Sequence, residues 1–104
     1  MTPEDRAKYV RTCTMCEFMT SLASAIQLSG GLNQSLSERM DELIEPVREA
    51  RDWIWHGLHE RLDLAERRAH EALPKFKGLM DEACDELRRA SNPQTLEAFR
   101  SFVN

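Results

Sequence analysis

One hundred and four residues, 41% apolar and 31% charged with a net charge of −4, are enough for one domain spanning 1–104 with a real but modest core. The longest basic runs are the pairs Arg67-Arg68 and Arg88-Arg89, too little to form a phosphate-binding surface, so a nucleic-acid partner is disfavoured. Three cysteines do not make an extracellular disulfide framework, and no apolar run reaches membrane-spanning length without a charge, so a reducing cytoplasm and no membrane contact are expected.

Thr2-Pro3-Glu4-Asp5 opens the chain with a cap, a proline at the first helical position and acids in the first turn, which predicts a helix over about 3–29. Residues 6–25 superficially resemble a secretory leader, but Glu4, Asp5 and Glu17 spoil it. The helix buries Tyr9, Cys13, Cys16, Met19, Leu22, Ala23 and Ile26, with Met15 beside them. Val10, Phe18 and Leu28 fall outside that arc and leave apolar surface to spare. Gly30-Gly31 ends it, and the short link that follows makes the next helix an antiparallel neighbour.

Ser35 and Glu38 match a capping box and start the dominant feature, a helix over about 35–73. Leu36, Met40, Leu43, Val47, Ala50, Ile54, Leu58, Leu62, Ala65, Ala69 and Ala72 recur at steps of three or four, a buried stripe on a 3.6-residue repeat. At about 1.5 Å per residue such a helix spans roughly 57 Å, against a radius of gyration near 13 Å for a compact chain this long. It is therefore expected to bend at Pro46 or to have its ends covered by another subunit. Trp53 and Leu64 lie to one side of the stripe and Trp55 to the other, with Gly57 between. Leu73-Pro74 is read as a break before a third helix over about 75–90, and Ser91-Asn92-Pro93 as a second before a helix over about 93–103. The fold class is all-α: a bundle of about four helices around one long, Pro-bent central helix.

Two groups of residues suggest chemistry. Cys13-Thr-Met-Cys16 sets two thiols on one helix face near two methionines, a soft-metal or redox arrangement, although Cys and Met are also ordinary core filler. His56 and His59 would be the natural companions for zinc, but in one unkinked hairpin they fall about 9–15 Å further along than the cysteines. His59-Glu60-Arg-Leu-Asp63 lacks the second histidine of a metalloprotease helix, and no Glu-x-x-His pair, phosphate loop or nucleophile elbow is present.

The expected function is therefore non-enzymatic and without cofactor: a small regulator, inhibitor or adaptor that works by helix packing on a protein partner and associates with itself as a homodimer. Trp53, Trp55, Gly57 and Leu64 are the candidate contact residues, because tryptophan anchors binding hot spots. A metal- or thiol-binding bundle using Cys13 and Cys16, and a dimeric DNA-associated regulator, are the alternatives.

Overall fold

The computed structural model describes residues 2–28, 30, 32–89 and 101, and among these every regular element is helical. Helix α1 spans Pro3–Leu28, α2 spans Gln34–Trp55 and α3 spans Leu62–Arg89, with a single 3-10 turn at His59–Arg61 leading into α3. The helix expected over 93–103 lies outside the described residues.

Local chemistry sets the starts. The Thr2 hydroxyl accepts the Asp5 amide at 3.1 Å. Asn33, not the expected Ser35, caps α2, its side-chain oxygen accepting the Leu36 amide at 2.8 Å from an extended backbone. Asn33 holds the extended angles a cap requires while Ser35 is already helical, so the apparent capping box is overruled by a cap two residues earlier.

The expected continuous helix over 35–73 does not form. The chain reverses at His56-Gly57-Leu58, where Gly57 has φ +74°. The Leu58 amide bonds the Trp53 carbonyl at 2.9 Å and the Gly57 amide bonds the Ile54 carbonyl at 3.1 Å. That pair of bonds is the Schellman closure of a helix end, and it needs a residue in the left-handed region that glycine enters without side-chain strain. Conversely, the break expected at Leu73-Pro74 is absent: α3 runs through Pro74, which is exposed, so its ring displaces no core atom. In the same way α2 runs through Pro46. The reversal that the length argument required is supplied at Gly57 rather than by a bend at Pro46, and the result is three packed helices.

Cross-helix contacts fix the topology. Gln27 at the end of α1 donates to Asp41 near the start of α2 at 2.7 Å, and Arg51 near the end of α2 donates to the Thr20 hydroxyl at 3.2 Å, so these helices are antiparallel. Lys8 meets Asp63 at 2.6 Å and Arg11 meets Glu66 at 3.1 Å, each pair 55 residues apart, which makes α1 and α3 parallel. Arg39–Glu82 and Arg68–Glu49 run antiparallel between α2 and α3.

The core lies where these three faces meet: Cys16, Met19, Leu22 and Ile26 from α1, Met40, Ile44 and Val47 from α2, and Ala65, Ala69, Phe76 and Ala83 from α3. The alanines on α3 let its backbone approach the other two closely, while Phe76 fills the centre at 1% exposure. Two threonines the periodicity passes over are also buried. Thr20 satisfies its hydroxyl by donating to the Cys16 carbonyl at 2.8 Å, whereas the Thr12 hydroxyl has no partner among the described residues.

Glycine and proline substitutions test this reading by sign. A Cβ added at Gly57 meets nothing within 4 Å, so Gly57→Ala should destabilise by the left-handed penalty alone, about 1–2 kcal/mol. In an uninterrupted helix the same change would stabilise by about 1 kcal/mol. Pro74→Ala restores an amide inside α3 and should stabilise by about 1 kcal/mol or more, whereas at a true break it would be close to neutral. Urea unfolding of the two variants measures both signs.

Candidate docking surface

The end of α2 carries both tryptophans, and their helical positions send them to opposite sides. Trp53 lies in the groove toward α3, half-buried against the core, with the guanidinium of Arg68 4.3 Å and that of Arg61 5.0 Å from the ring centroid. Arg68 is itself held by the Glu49 carboxylate at 2.9 Å and the Pro46 carbonyl at 3.4 Å. Leu64, three residues after Arg61 and four before Arg68, belongs to this side of α3 and is 38% exposed.

Trp55 faces the α1 side and is 59% exposed. Its ring is covered on one face by the Arg51 guanidinium at 4.7 Å, an arrangement worth about 0.5–1 kcal/mol at an exposed site. Arg51 is positioned by Thr20, by Asp52 at 3.7 Å and by Glu17 at 3.9 Å. The register between α1 and α2 sets Trp55 level with about residues 13–16 of α1. Gly57 contributes the turn rather than a surface. The four residues expected from the sequence therefore divide: Trp53 and Leu64 on the α2–α3 side, Trp55 on the α1–α2 side, and Gly57 as the pivot. Arg51 is the member that sequence reasoning missed, since its place over the Trp55 ring depends on the helix register.

The same reversal moves the histidines. His59, which a continuous helix would carry away from α1, returns so that its ring centroid is 6.2 Å from that of Tyr9. Tyr9 lies one helical turn before Cys13 and, like it, is packed against the core. His56 stays at the end of α2, its Nδ1 2.7 Å from the Asp52 carbonyl. Beside His59 lies a shallow depression lined by Asp5, Lys8, Leu62 and Asp63, in which the Lys8–Asp63 pair satisfies its own charge. Their hydrogen bond raises the Lys8 pKa and holds the Asp63 carboxyl below its ordinary value. Among the described residues no three His, Cys, Asp or Glu side chains are grouped as a metal would require.

Cys16 is fully buried among apolar groups. Burial first, then the neighbouring Cys13, pushes its thiol up to about 11. Cys13 is also raised, by burial and then by Glu17, against the lowering effect of Tyr9. A reactive thiol needs the opposite, an environment that favours the thiolate.

This shift sets a pH dependence. The folded state holds the Cys16 proton more tightly than the unfolded chain, so the Cys16 contribution to stability is complete below the ordinary thiol value of 9.0 and is lost as pH rises toward about 11. Melting temperatures measured across that window should fall less steeply for Cys16→Ala than for the parent. Equal slopes would show that Cys16 ionises in the folded protein as freely as in the unfolded one.

No family model, curated protein or solved structure matches this chain, so its function has to be argued from the surface described above.

Proposed function

We propose that this protein acts by docking, as a small regulator, inhibitor or adaptor whose helical bundle presents a preformed apolar surface to a protein partner and which also associates with itself. The observation that carries the reading is Trp55. A tryptophan more than half exposed is unfavourable in isolation, and here it stands on the last turn of a packed helix, braced by an arginine with three further contacts. Aromatic anchors held rigid in advance lose little entropy on binding, which is why Trp and Arg are enriched at hot spots. Leu64, 38% exposed near the start of α3, adds further apolar surface. A reducing compartment such as the cytoplasm suits Cys13 and Cys16, which are unpaired thiols. None of the described helices is long and apolar enough to cross a membrane.

Trp53 and Trp55 should separate stability from binding. Trp53→Ala removes a ring packed against the core and should lower stability by about 1–3 kcal/mol. Trp55→Ala should leave the unfolding midpoint within about 0.5 kcal/mol of the parent and weaken binding of a partner recovered with the intact chain at least tenfold, about 1.4 kcal/mol. Calorimetric titration of that partner against both variants is the measurement, and unchanged affinity in Trp55→Ala would sink the docking role assigned to it.

A further inference from the structure

A groove runs between α2 and α3, lined by these two helices and the Asn33 cap. It holds three contiguous hollows of about 260, 490 and 210 Å³, the first sharing Arg39 and Glu82 with the second and the second sharing Glu42, Leu43 and Lys75 with the third. From Asn33 to Pro46 on α2 the hollows extend about 20 Å at 1.5 Å per residue. Arg68, which lines the last of them, also covers the Trp53 ring, so the groove leads to the tryptophan two turns beyond Pro46. On α3, Leu64, Glu71 and Gly78 follow at steps of seven, two helical turns each, so the exposed Leu64 stands on the same side as the groove wall.

Two features of this groove have no use within the bundle. Gly78 is exposed inside α3 without the positive φ of Gly57, and a Cβ added there meets nothing within 4 Å. Glycine is the least favourable helix residue after proline, and here neither a turn nor a close approach within the chain accounts for it. The second feature is charge. Glu42 and Glu71 line the third hollow from facing helices, and neither belongs to an ion pair of the described residues. Arg68 beside them is already bound by the Glu49 carboxylate and the Pro46 carbonyl. That leaves two carboxylates around one ammonium, that of Lys75, over a floor of half-buried Leu43 and buried Ala72.

We propose that this groove binds a basic amphipathic helix of a partner protein, laid over Leu43 and Gly78 with one end against Leu64 and Trp53. The inference rests on the docking reading and deepens it by giving the partner a chemical class, on a different side of α2 from Trp55. The occupant is helical because a groove between two helices offers no free backbone amides. An extended segment would leave its own peptide groups unpaired over Leu43 and Ala72, whereas a helix bonds its own and Gly78 lets its backbone come close. The occupant is basic because its lysines or arginines supply the cation that Glu42 and Glu71 lack, and the net charge of −4 draws such a segment in. A second copy of the chain would bring a net charge of the same sign.

Calorimetric titration of the full chain with two synthetic peptides tests this. Each is about 20 residues long, roughly 30 Å as a helix, with leucines at steps of three and four; one carries lysines beside the leucines and the other glutamates. The lysine peptide should bind at least about tenfold more tightly than the glutamate peptide, and added salt should narrow that gap. Gly78→Gln is the decisive variant, because Gln favours a helix and has open space at this position. It should melt at a higher temperature than the parent and yet bind the lysine peptide about tenfold more weakly, a pair of opposite signs that a merely structural glycine would not produce. Glu42→Gln combined with Glu71→Gln should keep the melting temperature and lose most of the preference for lysine over glutamate. The proposal is overturned by a lysine peptide that fails to bind or binds no better than the glutamate peptide, and by Gly78→Gln binding with parental affinity. A lower melting temperature in Gly78→Gln would assign the groove to the chain's own residues 90–104 and overturn it equally. Trp55 lies on the α1–α2 side, so failure of the groove titration leaves the Trp55→Ala measurement standing, and the reverse holds as well.

Discussion

The whole arrangement depends on one backbone conformation, the left-handed Gly57. Two amide bonds, Leu58 to Trp53 and Gly57 to Ile54, close α2 in the manner that only a positive φ at this position permits. Everything downstream follows from the reversal. It lays α3 antiparallel against α2, places Arg61 and Arg68 over Trp53, and returns His59 to Tyr9 at the opposite edge of the bundle. Without it the apolar stripe of α2 and α3 would be one long surface that 104 residues could not cover alone.

The ion pairs along the helix edges have a different role from the core. Lys8–Asp63, Arg11–Glu66, Arg39–Glu82 and Arg68–Glu49 are all at least partly solvated, and ion pairs in water add little to stability. Their value is in register. Lys8–Asp63 and Arg11–Glu66 repeat the same offset one turn apart, so sliding α3 along α1 by a turn would break both. Burial of Met40, Ile44, Phe76 and their neighbours supplies the stabilisation, and the charges select which of several equally apolar alignments is adopted.

Much of this was legible in the residues. Cys16, Met19, Leu22, Ala23 and Ile26 on α1, and Phe76, Leu79, Met80, Ala83 and Leu87 on α3, are buried as their spacing requires. Periodicity could not report the break at Gly57, because Ile54, Leu58 and Leu62 keep a step of four across it. Residues that face a core before a reversal and face it again afterwards look like one uninterrupted stripe. The punctuation was there as Trp-His-Gly-Leu, a glycine followed by an apolar residue, which is the pattern of a helix closure. Proline misled in the other direction. At Pro74 one hydrogen bond is lost on the solvent side while Phe76, Leu79 and Met80 continue the buried face, so tertiary packing outweighs local preference. The separation of Trp53 from Trp55 depends only on angles within α2, whereas Leu64 lies beyond the reversal, where a projection of one continuous helix no longer applies.

What the fold leaves open is a difference between helices. The outward faces of α2 and α3 are patterned for water, with charges at most exposed positions. The outward face of α1 beyond Arg11 is not, although all three helices contribute to the same core. Burial among the described helices accounts for only part of that difference, because Phe18 meets Phe76 edge-on at 6.3 Å yet stays 49% exposed, and Leu28 is 87% exposed. Aggregation is normally resisted by placing charge on surfaces of this kind, and Thr14, Phe18, Ser21 and Leu28 stand exposed on α1 with no charged residue among them.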